Sequence, residues 1–245
     1  MSTSFLLLWL EAPLQSWGAD SKFGRRDSLS FPTKSGVRGL LLCALGASGE
    51  QKELLSKLAL LKQTVVSYAR TKKSKEDTQQ KVDREPLLRD FHMVGAGYDL
   101  DDPWQKLLEP HKSDGSARKS DGGGIKITYR YYLQDARFAV VMEVPAELAK
   151  SFADALKNPV YDLYLGRKNC VPTDFIYRRT FEHEEAALQN ADEIAQEKGF
   201  MIEDFRVVDD ERSDNGEAMT LNDVPVQFGE MKRYRDRRVT VIRNG

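Results

Sequence analysis

Cysteine is scarce: the 245-residue chain has two, Cys43 and Cys170. They are too few for a disulfide framework and too far apart for a metal-binding pair, so a reducing, cytoplasmic setting is expected. The three histidines, His92, His111 and His183, are equally scattered, and no metal site is expected from them. A Walker phosphate loop and a nucleophile elbow are both missing, so no cofactor is expected either. No apolar run is long enough to span a membrane. Phe5–Leu10 lacks the basic leader of a signal peptide and is ended by Glu11, which makes it a buried strand instead. Proline is sparse at 9 residues, while 40% of residues are apolar and 31% charged; that balance excludes a disordered chain and describes a folded domain with a charged surface.

Net charge is also nearly absent, at −1, but it is unevenly divided. Glu182 to Glu217 holds 13 acidic and 3 basic residues, a local charge of −10, so the remainder carries +9. A chain split in this way can offer a basic groove to nucleic acid. The acidic segment by itself reads more simply as a solvated helix, since charge runs are usually solvated faces.

The first strand is followed by a long loop to Pro32. Thr33 or Ser35 can cap a helix through Val37, Leu40, Leu41 and Ala44 that stops at Gly46. Leu54, Leu55, Leu58 and Leu61 mark a second amphipathic helix over 51–61, and 64–69 reads as a strand. From Arg70 to about Lys126 the chain is polar, basic and broken by glycine, including the run Asp114–Gly124; an insertion of this length is expected to be functional or mobile. Within it, Leu87–Val94 can form one side of a projecting hairpin. Ile125–Leu133 and Ala136–Val144 form a hairpin or two sequential strands. Pro145 opens a helix over 146–157 that Asn158-Pro159 ends. Further strands are expected at 200–208, 224–228 and 238–243. The order is βαββαβ with an inserted arm, and it predicts an α+β, ferredoxin-like sheet of the kind many RNA-binding domains use.

Two places can hold phosphate. Phe31–Gly36 puts Lys34 and Ser35 at a helix start, where free N–H groups and the helix dipole favour anions; an ordinary cap has the same appearance. Gly166-Arg167-Lys168 turns two cations toward one spot, with Tyr161 and Tyr164 nearby to stack a base or to pack in the core. The tail Lys232–Arg238 interleaves Tyr234 among cations and reads either as an RNA contact or as a charge-protected edge strand.

Four segments, LEAPLQSWG (10–18), FPTKSGVRGLLLCALG (31–46), LRDFHMVG (88–95) and YLGRKNCVP (164–172), occur in one order and together resemble the family-five CRISPR-associated subunits of type I-E Cascade. The resemblance implies an RRM-like RAMP domain over 1–175, a thumb inserted at about 70–126, and a C-terminal extension over 176–245. It implies a non-catalytic subunit that caps the 5′ handle of the crRNA. The implied partners are the Cascade backbone subunits, the large subunit and target DNA near its flanking motif, with no membrane. On this sequence Trp17, Lys34, Ser35 and Arg38 would line the handle site, with Arg89 and His92 on the thumb and Arg167 and Lys168 on the glycine turn. Arg25 and Arg130 complete the expected RNA-binding set. The long thumb and the acidic extension depart from the family's pattern. The alternative is a metal-independent crRNA endoribonuclease, as in type I-C systems, in which His92 would act with Lys34, Tyr129 or Tyr131. A free-standing single-strand RNA-binding module is a third reading.

Overall fold

The first strand, β1 (Thr3–Glu11), is buried along most of its length because apolar residues occupy both of its faces. Leu6, Leu8 and Leu10 enter one core while Leu7 and Trp9 enter a second core on the opposite side of the sheet. The computed structural model describes residues 2–18, 21, 24–73, 79–94, 101–106, 112–116, 126–199, 202–209 and 216–243. Most of the Asp114–Gly124 run, and parts of the acidic segment, lie outside those residues.

Helix α1 (Lys34–Ala44) starts at Thr33, whose hydroxyl accepts the Gly36 amide at 3.1 Å. It ends where Gly46 adopts φ +67°. A short α2 (Lys52–Leu58) leads into β2 (Gln63–Ala69). The inserted arm contributes β3 (Leu88–Val94) and β4 (Lys126–Gln134). After it come β5 (Arg137–Pro145), α3 (Ala146–Lys157), β6 (Tyr177–Phe181), α4 (Glu184–Glu197), β7 (Ile202–Asp209), β8 (Gly216–Gln227) and β9 (Arg233–Arg243).

Seven of these strands form one antiparallel sheet in the order β6-β1-β5-β2-β7-β9-β8. Residues after 175 therefore add strands to both of its edges. β4 and β5 are sequential but belong to different sheets, so they are not a hairpin. The chain changes direction at Asp135, which sits at φ +47°, and β4 leaves to pair with β3.

α1 and α3 pack on one face of the large sheet through Leu41, Ala44, Phe152 and Leu156. On the other face α4 covers β6, β1, β5 and part of β2. Ala187, Ala191 and Ala195 recur at helical spacing, and their small side chains let the helix approach Leu7, Trp9, Val66 and Val141. The helical part of the acidic segment is thus anchored by an alanine stripe, with Glu185, Glu193 and Glu197 exposed on its outer side, while Glu184 accepts the Thr64 hydroxyl and Asp192 the Tyr68 hydroxyl.

A polar clamp fixes the end of α4. Lys198 Nζ lies 2.7 Å from both Glu11 and Asp174, and Glu11 also accepts Trp9 Nε1 at 2.9 Å. Burial pushes both carboxyls up, but hydrogen bonds to Lys198, with smaller contributions from other donors, outweigh it and hold both below the ordinary range. A carboxyl depressed by folding contributes stability that is complete above its unfolded pKa, about 4. That contribution disappears as pH falls through the lower folded value. Trp9 fluorescence, read against pH, should therefore report a loosened α4 below about pH 4. A signal unchanged down to about pH 2 would contradict the clamp.

Candidate nucleic-acid interface

Because α4 packs over β6, β1 and β5, those strands offer a nucleic acid no open platform on the second face, and the arm is the next surface to consider. There β3 runs antiparallel to β4, while Arg25 and Arg26 pair in parallel with Tyr129 and Arg130. Directly opposed residues share a face. One face therefore gathers Met93 with Ile127, Phe91 with Tyr129, and Arg89 with Tyr131. The other gathers His92 with Thr128 and Asp90 with Arg130.

The first face alternates aromatics with cations. The Phe91 and Tyr129 ring centroids are 5.6 Å apart, the Arg89 guanidinium is 5.7 Å from the Tyr129 centroid, and that of Arg25 is 5.1 Å from the Tyr131 centroid. Phe91 is 54% and Met93 55% exposed, so an apolar strip of several residues is open to solvent. On the second face, His92 Nδ1 stands 3.5 Å from Asp90 Oδ2.

The glycine turn is fastened to the first loop and to the arm. Leu165 O accepts the Ser16 amide at 3.1 Å, and Gly166 sits at φ +104°. Arg167 donates to Arg26 O at 2.9 Å and Tyr131 O at 3.3 Å and lies 4.7 Å from the Tyr132 ring centroid. It therefore braces the arm strands, with Lys168 exposed beside it.

At the start of α1 the expected arrangement is corrected. Trp17, Lys34 and Arg38 are all buried and touch protein. The Trp17 ring lies under Gly36, where a Cβ would come within 2.8 Å of it, and its Nε1 donates to Gln15 Oε1 at 3.1 Å. The anion position at the helix start is taken by the protein's own Asp223, which accepts the Lys34 amide at 2.7 Å. Lys34 Nζ lies 2.9 Å from Asp209. Arg237 grips Asp223 at 2.7 and 2.9 Å and also bonds Asp209. Arg38 Nη1 and Nη2 have no hydrogen-bond partner among the described residues, and burial lowers its guanidinium to about 10. Of the four residues expected there, only Ser35 lines an open cleft.

The structure thus joins Arg25 and Arg89 on one face of the arm and His92 and Arg130 on the other. It does not assemble the group considered for cleavage. Tyr129 and Tyr131 point away from the His92 face, and Lys34 is buried against Asp209. Among the described residues no cluster of three potential metal ligands occurs, and no helix is long and apolar enough to cross a membrane.

Sequence reasoning missed Asp209, Asp223 and Arg237, although two cations spaced by four on the buried side of α1 call for nearby carboxylates. It also missed Arg84. This side chain donates to Ser30 O at 3.0 Å, bonds Ser67 and lies 4.9 and 5.0 Å from the centroids of Phe138 and Phe205. It ties the base of the arm to the sheet.

An α+β protein built on a broad antiparallel sheet, with a projecting arm that displays aromatics and arginines, is the class these features define. The chain belongs to the CRISPR-associated protein (Cas5) family, whose model matches residues 5–241. It is 31% identical over 182 residues to the Cascade subunit CasD of Escherichia coli K12, an alignment covering 72% of this chain and 71% of that one. Among solved structures, a chain of a CRISPR RNA-guided surveillance complex superposes with a TM-score of 0.70 at 28% identity, covering 98% of this chain and 90% of that one. A crystal structure of a Cas protein superposes at 0.58 with 26% identity and 98% coverage of each chain.

Proposed function

We propose that this protein is a structural, non-catalytic subunit of a type I CRISPR Cascade complex. It grips the 5′ handle of the crRNA and abuts backbone and large subunits, close to the target DNA beside its flanking motif. The part of the chain that carries this role is an RRM-like RAMP unit, β1–α1–β2–β5–α3–β6. Its strand order β6-β1-β5-β2, with every neighbour antiparallel, supports that reading, and the arm is its thumb.

The observation that carries the proposal is the arm face. Phe91, Tyr129 and Tyr131 lie among Arg25 and Arg89 on a surface that bases can stack on and phosphates can follow. Ser35, His92, Arg130, Arg167 and Lys168 are its expected polar surroundings, while Trp17, Lys34 and Arg38 are buried at the start of α1 and hold the first loop and the β8–β9 hairpin in place. Beyond β6, the strands β7, β8 and β9 widen the sheet, and α4 presents its acidic outer side to protein partners.

The test uses labelled repeat RNA in EDTA, resolved in parallel on native and denaturing gels. RNA shifted but uncut is expected. Tyr129→Ala should weaken binding by about 5- to 150-fold, the range that follows from ~1–3 kcal/mol per stacked base. Site-specific cleavage that is lost in His92→Ala would instead make the protein a processing nuclease.

A further inference from the structure

A cleft of about 620 Å³ opens beside Ser35, between the first loop and the β8–β9 hairpin. Its volume falls within the roughly 300–1,000 Å³ typical of small-ligand pockets. We propose that this cleft is a nucleobase subsite that takes one guanine of a single-stranded RNA, a proposal that rests on the RNA-binding reading above.

The lining has the character of a base slot. Leu29, Leu221 and Tyr234 provide apolar and aromatic wall. Its polar groups include Asp27, Asp236 and Asn222, together with Asp223, which is held by the Lys34 amide and Arg237. Asp27 Oδ1 accepts Arg25 Nε at 2.8 Å, and Asp236 Oδ1 accepts Asn222 Nδ2 at 2.5 Å. Each of these two carboxylates keeps its Oδ2, and a second lone pair on Oδ1, to accept further donors. A phosphate entering here would meet carboxylates and be repelled. A group that presents two adjacent N–H donors would be held, because a carboxylate accepts such a pair in parallel. Among the RNA bases the guanine N1–H and N2–H₂ edge supplies that pair. Cytosine and adenine offer a single amino group, and uracil a lone N–H.

The phosphate has a place outside the cleft. Arg25 is exposed at the first loop. Arg238 pairs directly with Thr220, a cleft residue, so the two share a face of the hairpin. A nucleotide can therefore insert its base between the loop and the hairpin while its phosphate stays at the cationic rim. The tyrosine in the basic tail is then a cleft wall, with the arginine at 238 beside it.

Gly18 allows the slot to be blocked without touching its polar groups. It lines the cleft, and a Cβ built on it has no heavy atom within 4 Å. Gly18→Trp should fill the opening. The experiment titrates labelled repeat RNA against the full chain, replacing each guanine in turn by inosine, which lacks the 2-amino group. One position is expected to weaken binding about tenfold. That penalty should vanish in the Asp27→Asn/Asp236→Asn variant and in Gly18→Trp, with melting temperatures checked for both. RNA that binds tightly but gives a flat inosine scan would overturn the subsite while leaving the RNA-binding role intact. The subsite also falls if both variants keep the guanine preference. A wild-type protein that binds no repeat RNA would remove the underlying reading, and this proposal with it.

Discussion

Gly166→Ala should cost about 3–5 kcal/mol, among the largest penalties for removing so little freedom from a chain. The glycine sits at φ +104°, where an L side chain is strained, and its Cβ would fall 1.7 Å from Ser16 O. The obstacle is backbone and cannot rotate away. Ser16 is itself held there, since its amide donates to Leu165 O. Relief thus requires the whole Leu165–Cys170 turn to separate from the first loop, which also withdraws Arg167 from Arg26 and Tyr131. For a chain of this size the melting temperature should fall by about 6–20 °C. Repeat-RNA binding should weaken further, because Lys168 and the brace of the arm move together. Gly39→Ala is the control: that glycine lies within α1 with no atom near its missing Cβ, so the change should stabilise by about 0.5–1 kcal/mol. Equal melting of the two variants would contradict the account of the turn.

The Gly166 turn was readable in the sequence because glycine followed by two cations is a local pattern. The same holds for β1, α1 and α3, whose apolar spacing, caps and stop signals lie within a few residues of one another. β3 was legible as a strand, and the structure pairs it with β4. What a strand pattern does not encode is its neighbour: β4 and β5 follow each other across two residues yet enter different sheets, a separation made by the turn at Asp135. Charge was harder to read. A lysine at a helix start has the same sequence whether its anion is an RNA phosphate or Asp223, 189 positions further on. The acidic segment was read by its charges, while its packing was written in Ala187, Ala191 and Ala195. These alanines at every fourth position gave a signal that the surrounding carboxylates obscured.

The inward turn of Lys34 and Arg38 leads to a pair of substitutions with opposite signs. Asp209 lies between Lys34 and Arg237 and is the strongest favourable charge acting on Arg38. Asp209→Ala leaves three buried cations with Asp223 as the carboxylate at the helix start, and uncompensated buried charge of this kind costs about 3–5 kcal/mol. Arg38→Met is different. It removes a guanidinium whose two terminal nitrogens have no hydrogen-bond partner among the described residues, and replaces it with an unbranched apolar side chain able to fill the space beside Leu55 and Leu58. Exchanging a buried charge for packed apolar atoms is neutral or stabilising by about 1–4 kcal/mol. In the Asp209→Ala background, removing the Arg38 charge should recover part of the loss, with a coupling of about 0.5–3 kcal/mol. Urea unfolding of the two single variants and the double variant measures all three quantities. The same proteins also decide what Arg38 does for RNA. Because Arg38 is buried, its replacement by Met should leave repeat-RNA affinity within about twofold of wild type, as expected when no charged contact is lost. A fall of tenfold or more, with stability unchanged, would mean that α1 opens on binding and presents Arg38 to phosphate. Asp223 would then be the carboxylate that the RNA displaces.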